Sequence, residues 1–155
     1  MMTKTAILGL LAVFSPLAAA VGKARVVNQC NFEATLWSVD SQIHGPHTLG
    51  AKGGSYAETF HRDAVTGGVA IKITQDPNGL YTGAPQLNFA YSLDGAKVFY
   101  DLSSVFGDAF SGHALVEKSA DKSCPVIEWP QGTPPAGSQV KDCTAEKDVT
   151  LTLCA

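Results

Sequence analysis

No Asn-X-Ser/Thr sequon occurs in the chain: Asn28, Asn31, Asn78 and Asn88 all lack a hydroxyl two residues on, so N-linked glycans are not expected. An apolar run long enough to cross a bilayer, about 20 residues, is also missing. The stretch from Ala6 to Phe14 gives way to Ser15-Pro16, and Lys23 and Arg25 follow. Lys4, that apolar stretch and the small residues Ala18-Ala19-Ala20 instead have the three-part layout of a secretory leader, here placed at residues 1–20 with cleavage after Ala20. Basic excess is absent too. Without the leader, 10 basic side chains stand against 14 acidic ones, a net charge of −4. That argues against nucleic acid as a partner, since its recognition calls for a basic patch, and against attack on anionic membranes by charge alone. The end "VTLTLCA" has neither the polar spacer nor the hydrophobic tail of a lipid-anchor signal.

Residues 21–155 are long enough for one cored domain and too short for two. All four cysteines (Cys30, Cys124, Cys143, Cys154) fall in it, and none form a Cys-X-X-Cys pair. In an oxidising compartment they predict two disulfides rather than a metal site. Three pairings are open; joining Cys30 to Cys154 would tie the first strand to the last, and Cys124 to Cys143 would clip a local loop. His44 and His47 form His-X-X-His around Gly45-Pro46, a turn signal with too few ligands for zinc or copper. No metal and no cofactor are expected.

Helical periodicity, internal repeats and low-complexity tracts are absent after the leader. What recurs is period-2 alternation. "RVVNQC", "ATLWSV", "YAETFH", "GVAIKIT", "LNFAYSL", "AKVFYDL", "HALVEK" and "DVTLTLC" are short, rich in β-branched and aromatic residues, and separated by Gly, Pro, Asn or Asp. They predict an all-β, antiparallel β-sandwich. "QGTPPAGS", 131–138, is excluded from a central strand by its paired prolines. Trp37 and Trp129 read as packing residues, and Lys72, opposite in face to Ile71 and Ile73, as solvated.

"LNFAYSLDGAKVFYDL" reads as a hairpin about Asp94-Gly95. Leu87 then opposes Leu102, Phe89 opposes Tyr100 and Tyr91 opposes Val98 on an apolar face. Asn88 opposes Asp101, Ala90 opposes Phe99 and Ser92 opposes Lys97 on a wet one. A shift of partners by two positions would keep the same faces, because side-chain direction depends only on parity. Asn88, Phe99 and Asp101 are therefore expected to be exposed together. An aromatic ring beside an amide and a carboxylate suits a sugar, whose apolar faces stack and whose hydroxyls bond. The structural alternative has Asp101 ending a strand on the backbone of Ser103 or Ser104.

The motifs "VVNQC", "NFAYSLDG", "YDLSSVFGDAFSG", "PPAGSQVK" and "DVTLTLC", with a cysteine at the very end, resemble the thaumatin-like superfamily. Over the whole of residues 21–155 the likeness is to its small fungal branch, the antigenic thaumatin-like or Bys-type (yeast-phase-specific) secreted proteins. The resemblance implies a disulfide-bonded β-sandwich in which the first cysteine joins the last, leaving Cys124 for Cys143. Larger members have an acidic cleft linked to β-1,3-glucan binding and sometimes weak glucanase activity. Asp101 falls on the aspartate of the family's Asp-hydrophobic-Ser segment; Asn88 falls near a family glutamate, and Phe106 replaces a second aspartate. Lys72 falls near the family's cleft arginine. Asp108 is the one nearby carboxylate that could substitute, although Gly107-Asp108 also reads as a turn. Glycoside hydrolysis normally needs two carboxyls, so the expectation is no catalytic residue and a ligand-binding set of Asn88, Phe99, Asp101 and Asp108. The expected protein is a secreted monomer, extracellular or cell-wall associated, holding cell-wall polysaccharide, β-glucan first, or a host surface protein. The alternatives are a weak β-1,3-glucanase using Asp101 and Asp108, or an antimicrobial or effector protein.

Overall fold

The computed structural model describes residues 19–155, so the expected leader lies almost wholly outside the described residues. Among the described residues, eleven strands form two stacked sheets. In chain order they are β1 (Lys23–Asn28), β2 (Ala34–Val39), β3 (Ile43–Leu49), β4 (Gly54–Thr59) and β5 (Val69–Thr74), then the short helix α1 (Gly79–Thr82). They continue as β6 (Gln86–Asp94), β7 (Lys97–Val105), β8 (Leu115–Ser119), β9 (Ile127–Trp129), β10 (Lys141–Thr144) and β11 (Val149–Leu153). The smaller sheet runs β4-β1-β11-β8-β9 and the larger β10-β7-β6-β5-β2-β3. Among the described residues no helix is long and apolar enough to cross a membrane.

Alternation produces the core, as expected for strands with one buried face. Val26, Leu36, Ile71, Ile73, Phe89, Tyr91, Val98, Tyr100, Leu102, Trp129, Leu151 and Leu153 are all buried between the sheets. Cys30 pairs with Cys154 and Cys124 with Cys143.

Three features differ from the expectation. The sandwich is antiparallel throughout its pairings except for β1 and β11, which run parallel with Asn28 opposite Leu153. A disulfide between the residues just beyond both strands requires this, because only parallel neighbours finish at the same end. The segment about Gly45-Pro46 is the edge strand β3, not a free turn. Its register against β2 jumps between Leu36 and Ser38, a bulge on the one kind of strand that tolerates proline. The β6–β7 hairpin turns at Gly95-Ala96, one residue later than Asp94-Gly95, with Asp94 opposite Lys97. Gly95 has φ +58° while Ala96 is not among the positive-φ residues. That suits a turn with glycine at its first central position. Every opposed pair shifts by two: Phe89 faces Leu102, Tyr91 faces Tyr100, Leu93 faces Val98, and Ala90 faces Asp101. The faces themselves are unchanged.

Leu102→Ala removes a fully buried side chain from β7 and should cost about 2–5 kcal/mol. Ser103→Ala, one residue on and facing outward, should stay within about 0.5 kcal/mol. Denaturant unfolding of both variants checks the face assignment, and equal losses would contradict it.

Candidate functional site

The outer face of the larger sheet carries the residues singled out by sequence. Register places Trp37, Lys72, Asn88 and Ser103 in one row across β2, β5, β6 and β7. The next row is Val39, Ala70, Ala90 and Asp101, and Val140 lies beside Asp101 just before β10. Beyond it Ser92 opposes Phe99, and Phe99 opposes Asp142.

Small side chains along the second and third rows leave a trough. One depression of about 130 Å³ is lined by Ala90, Ser92, Phe99, Asp101 and Val140. A second, of about 280 Å³, is lined by Val39, Asp40, Thr66, Gly68 and Ala70 and shares Ala90 and Ser92 with the first. A side chain at Gly68 would strike the Ser92 hydroxyl, 2.8 Å from an added Cβ, so the floor depends on glycine there. Phe99, 36% exposed, and Val140 wall one end.

Asp101 is half-buried in this wall, and its Oδ1 has no hydrogen-bond partner among the described residues. Burial pushes its pKa up, with a bond from the Ala90 amide opposing. Among the described residues it makes no hydrogen bond to the backbone of Ser103 or Ser104, so the strand-end bracket considered above is not what holds it.

Asn88 is where exposure fails. It lies on the outward parity but is only 8% exposed, between Lys72 and Ser103 in register and accepting a 2.6 Å hydrogen bond from Gln86 Nε2. Asp108 is not brought to the trough. It lines a separate depression of about 380 Å³ with Gln75, Asp76, Ala84, Pro85 and Ala109, between the loop after β5 and the loop after β7. The structure thus groups Phe99 with Asp101, sets Asn88 behind them and takes Asp108 elsewhere. Trp37 is fully buried although it faces outward; the Tyr81 ring of α1 lies edge-on at 6.3 Å.

Sequence reasoning missed the floor residues Gly68, Ala70 and Ala90 and the wall residues Val39 and Val140. The available signal was that Ala70 on β5 and Ala90 and Ser92 on β6 are small outward positions between large inward ones. A second polar group, also missed, closes the side where β3 and β4 meet. Tyr56 and Tyr91 donate to the two oxygens of Glu58 at 2.6 and 2.5 Å, and the His61 ring joins Tyr91 to Asp40. Burial, followed by the bond to Glu58, raises the pKa of both tyrosines. The Asp121, Cys124 and Cys143 cluster has its sulfurs tied in a disulfide, leaving it no thiolates for a metal.

Known proteins share this architecture. Residues 11–155 match the family described as Blastomyces yeast-phase-specific protein. An antigenic thaumatin-like protein of Arthroderma benhamiae is 32% identical over all of this chain and 85% of its own length. The secreted thaumatin-like protein calA of Emericella nidulans is 29% identical over 90% of this chain and 86% of its own. Among solved structures, the protein elicitor MoHrip2 of Magnaporthe oryzae superposes with a TM-score of 0.71 at 22% identity, covering 86% of this chain and 99% of that one. The thaumatin-like xylanase inhibitor TLXI gives 0.56 at 11% identity, covering 85% and 99%; both show a shared fold.

If Tyr81 is what shields Trp37, Tyr81→Ala should make tryptophan emission more accessible to acrylamide while lowering the melting temperature little. Quenching equal to wild type would mean that other groups cover the indole.

Proposed function

Because this chain belongs to the Blastomyces yeast-phase-specific family of secreted thaumatin-like proteins, we propose that it acts outside the cell as a non-catalytic binder of cell-wall glycan, β-glucan foremost. The observation that carries this is the trough itself: a floor of small side chains, Gly68, Ala70 and Ala90, on and beside β5 and β6, with the Phe99 ring at one end and the half-buried Asp101 carboxyl beside it. An extended sugar chain offers what such a floor lacks, apolar ring faces for Phe99 and hydroxyls for Asp101.

Bond cleavage is disfavoured by the spacing of acids. Two carboxyls of a glycosidase stand about 5–9.5 Å apart. The second carboxylate lining the trough, Asp40, follows Val39 on β2, three strands from Asp101, or about 14 Å at the usual strand spacing. It is also occupied, accepting from the Gln42 amide and meeting His61. Asp108 lies in a different depression.

A second reading, adhesion to a host or competitor surface protein, has one observation in its favour. Phe106 and Tyr81 are 70% and 69% exposed, and exposed aromatics are the usual anchors of protein interfaces.

Retention on insoluble β-glucan, chitin and intact cell walls, with albumin as the blank, separates these. Wild type should be retained on β-glucan. Ala90→Arg, which fills the floor, and Phe99→Ala should release it, Asp101→Asn should weaken it by about 0.5–3 kcal/mol, and Phe106→Ala should not matter. No reducing sugar should appear from laminarin. Unchanged retention of Ala90→Arg would remove the trough from consideration, and turnover abolished by Asp101→Asn would establish an enzyme.

A further inference from the structure

Two ionisable side chains sit where the surroundings favour the protonated form. Glu117 on β8 points inward with Leu115 and Ser119, is 0% exposed, and has no partner for either carboxyl oxygen among the described residues. Its strand neighbours are Ile127 and Leu151. Tyr100, across from it on β7, gives its hydroxyl proton to the Pro125 carbonyl, and Asp101 adds a like charge. None of the ion pairs among the described residues includes Glu117. An ionised carboxylate in that place would be an unpaired buried charge, which proteins avoid by keeping the proton.

His61 follows β4 and meets acceptors on both sides. Its Nδ1 lies 3.2 Å from the Thr59 carbonyl oxygen and 3.2 Å from the Tyr91 hydroxyl. Tyr91 already gives its proton to Glu58, so its oxygen offers His61 a lone pair. The ring's Nε2 is 3.2 Å from Asp40 Oδ2. A neutral imidazole carries one N–H and would leave a bare nitrogen facing an acceptor; the imidazolium puts an N–H on each side, the Nδ1–H shared between Thr59 and Tyr91. The surrounding charges are Glu58 on β4, Asp40 in the β2–β3 turn with His44 on its other oxygen at 3.6 Å, and Asp63 beyond it. Tyr56 on β4 completes the set through Glu58.

We propose that the folded protein keeps two protons that the unfolded chain releases, one on Glu117 and one on His61, making the sandwich a pH-sensitive device, tight in acid and loosened as pH rises. The two lie toward opposite edges of the smaller sheet. His61 fastens β4 of that sheet to β6 and the β2–β3 turn of the other.

The titration directions agree with the geometry. Burial, with the Asp101 charge, puts Glu117 well above its ordinary 4.5. Burial alone would lower His61, but the Asp40 bond, the Thr59 carbonyl and the Glu58 charge together raise it above 6.5. For both, the folded pKa exceeds the unfolded one. Their stabilisation is therefore complete below the unfolded value and is lost as pH climbs through the folded value. Asp40, Asp63 and Asp121 are held below 3.8, chiefly by bonds from the Gln42 amide, the Thr66 amide and the Ser123 hydroxyl respectively. They weaken the fold only as pH falls below that; Asp101, which burial also raises, acts in the same direction as Glu117 and His61, and the variants below separate those two from it.

Denaturant unfolding of the oxidised protein at constant ionic strength, from pH 5 to pH 8, tests this. The unfolding constant should rise with pH, by up to about tenfold per unit for each retained proton. Glu117→Gln should flatten the rise from its acid end, and His61→Gln should flatten it only above about pH 6.5. Differences between variants cancel the general effect of growing negative charge. If Glu117→Gln does not fold, Glu117→Met, similar in volume and apolar, takes its place. Carbon-13 NMR reads the groups directly: the Glu117 carboxyl should titrate well above 4.5 and the His61 ring above 6.5. A flat stability profile, a Glu117 carboxyl titrating normally, or a His61 ring titrating below 6.5 overturns the proposal.

Discussion

The parallel pairing of β1 with β11, closed by Cys30–Cys154, is the joint on which the sandwich hangs. The two Cα atoms are 5.0 Å apart across 124 residues of chain, so the link removes about 4–5 kcal/mol worth of unfolded-chain freedom in the entropy model. β4 pairs on β1, and β8 and then β9 on β11; the smaller sheet is thus built outward from this pair. Asn28 finishes β1 with a fully buried amide. Its Nδ2 donates to the carbonyls of Phe32, Leu49 and Gly50 at 2.9, 3.0 and 3.2 Å, and its Oδ1 accepts from the Cys30 amide at 3.0 Å. One polar side chain thereby positions the disulfide and the turn leading to the larger sheet, with no polar atom left unmet.

The second disulfide works differently. Cys124–Cys143 brackets β9, on the edge of the smaller sheet, and β10, on the edge of the larger. The proline-bearing loop between them crosses from one layer to the other. Trp129 pins that crossing by donating from Nε1 to Gln139 Oε1 at 2.9 Å. Val140, which walls the trough, follows directly, so the bracket that closes this side of the fold also sets one wall of the candidate site.

Alternation made most of this legible in the sequence. Each of the eight period-2 segments contains or overlaps a strand, because a half-buried strand leaves a period-2 trace whatever its partners. Partners leave no such trace, which is why the parallel pair was invisible and the β6–β7 register was displaced by two. β3 escaped because its side chains are exposed at all but Leu49, so it has no buried face to alternate against. β9 and β10, at three and four residues, are too short to show a period. In the site, parity placed Phe99 and Asp101 on the outer face. It could not foresee that Gln86 and the flanking rows would enclose Asn88, or that the chain after β7 would carry Asp108 to another depression. Glu117, by contrast, was readable: in "HALVEK" it shares parity with Leu115, and an acid on the apolar side of a strand is a conflict between pattern and chemistry.

Asp40 joins the trough to the His61 junction. It lines the far end of the trough, and its carboxylate is held by the Gln42 amide, by His61 and by His44. A proton on His61 therefore fixes a trough wall as well as the junction of the sheets. When that proton leaves, the imidazole can no longer donate to Thr59 or Tyr91 on one side and to Asp40 on the other. One of these contacts must open, leaving the turn after β2 to its Asp40–Gln42 bonds, the Ser41–Asp63 bond and the His44–Asp40 contact. The bonds from Tyr56 and Tyr91 to Glu58 across the same seam do not use that proton. The trough and the junction of the sheets therefore share a single carboxylate, Asp40, which meets the titrating His61 ring.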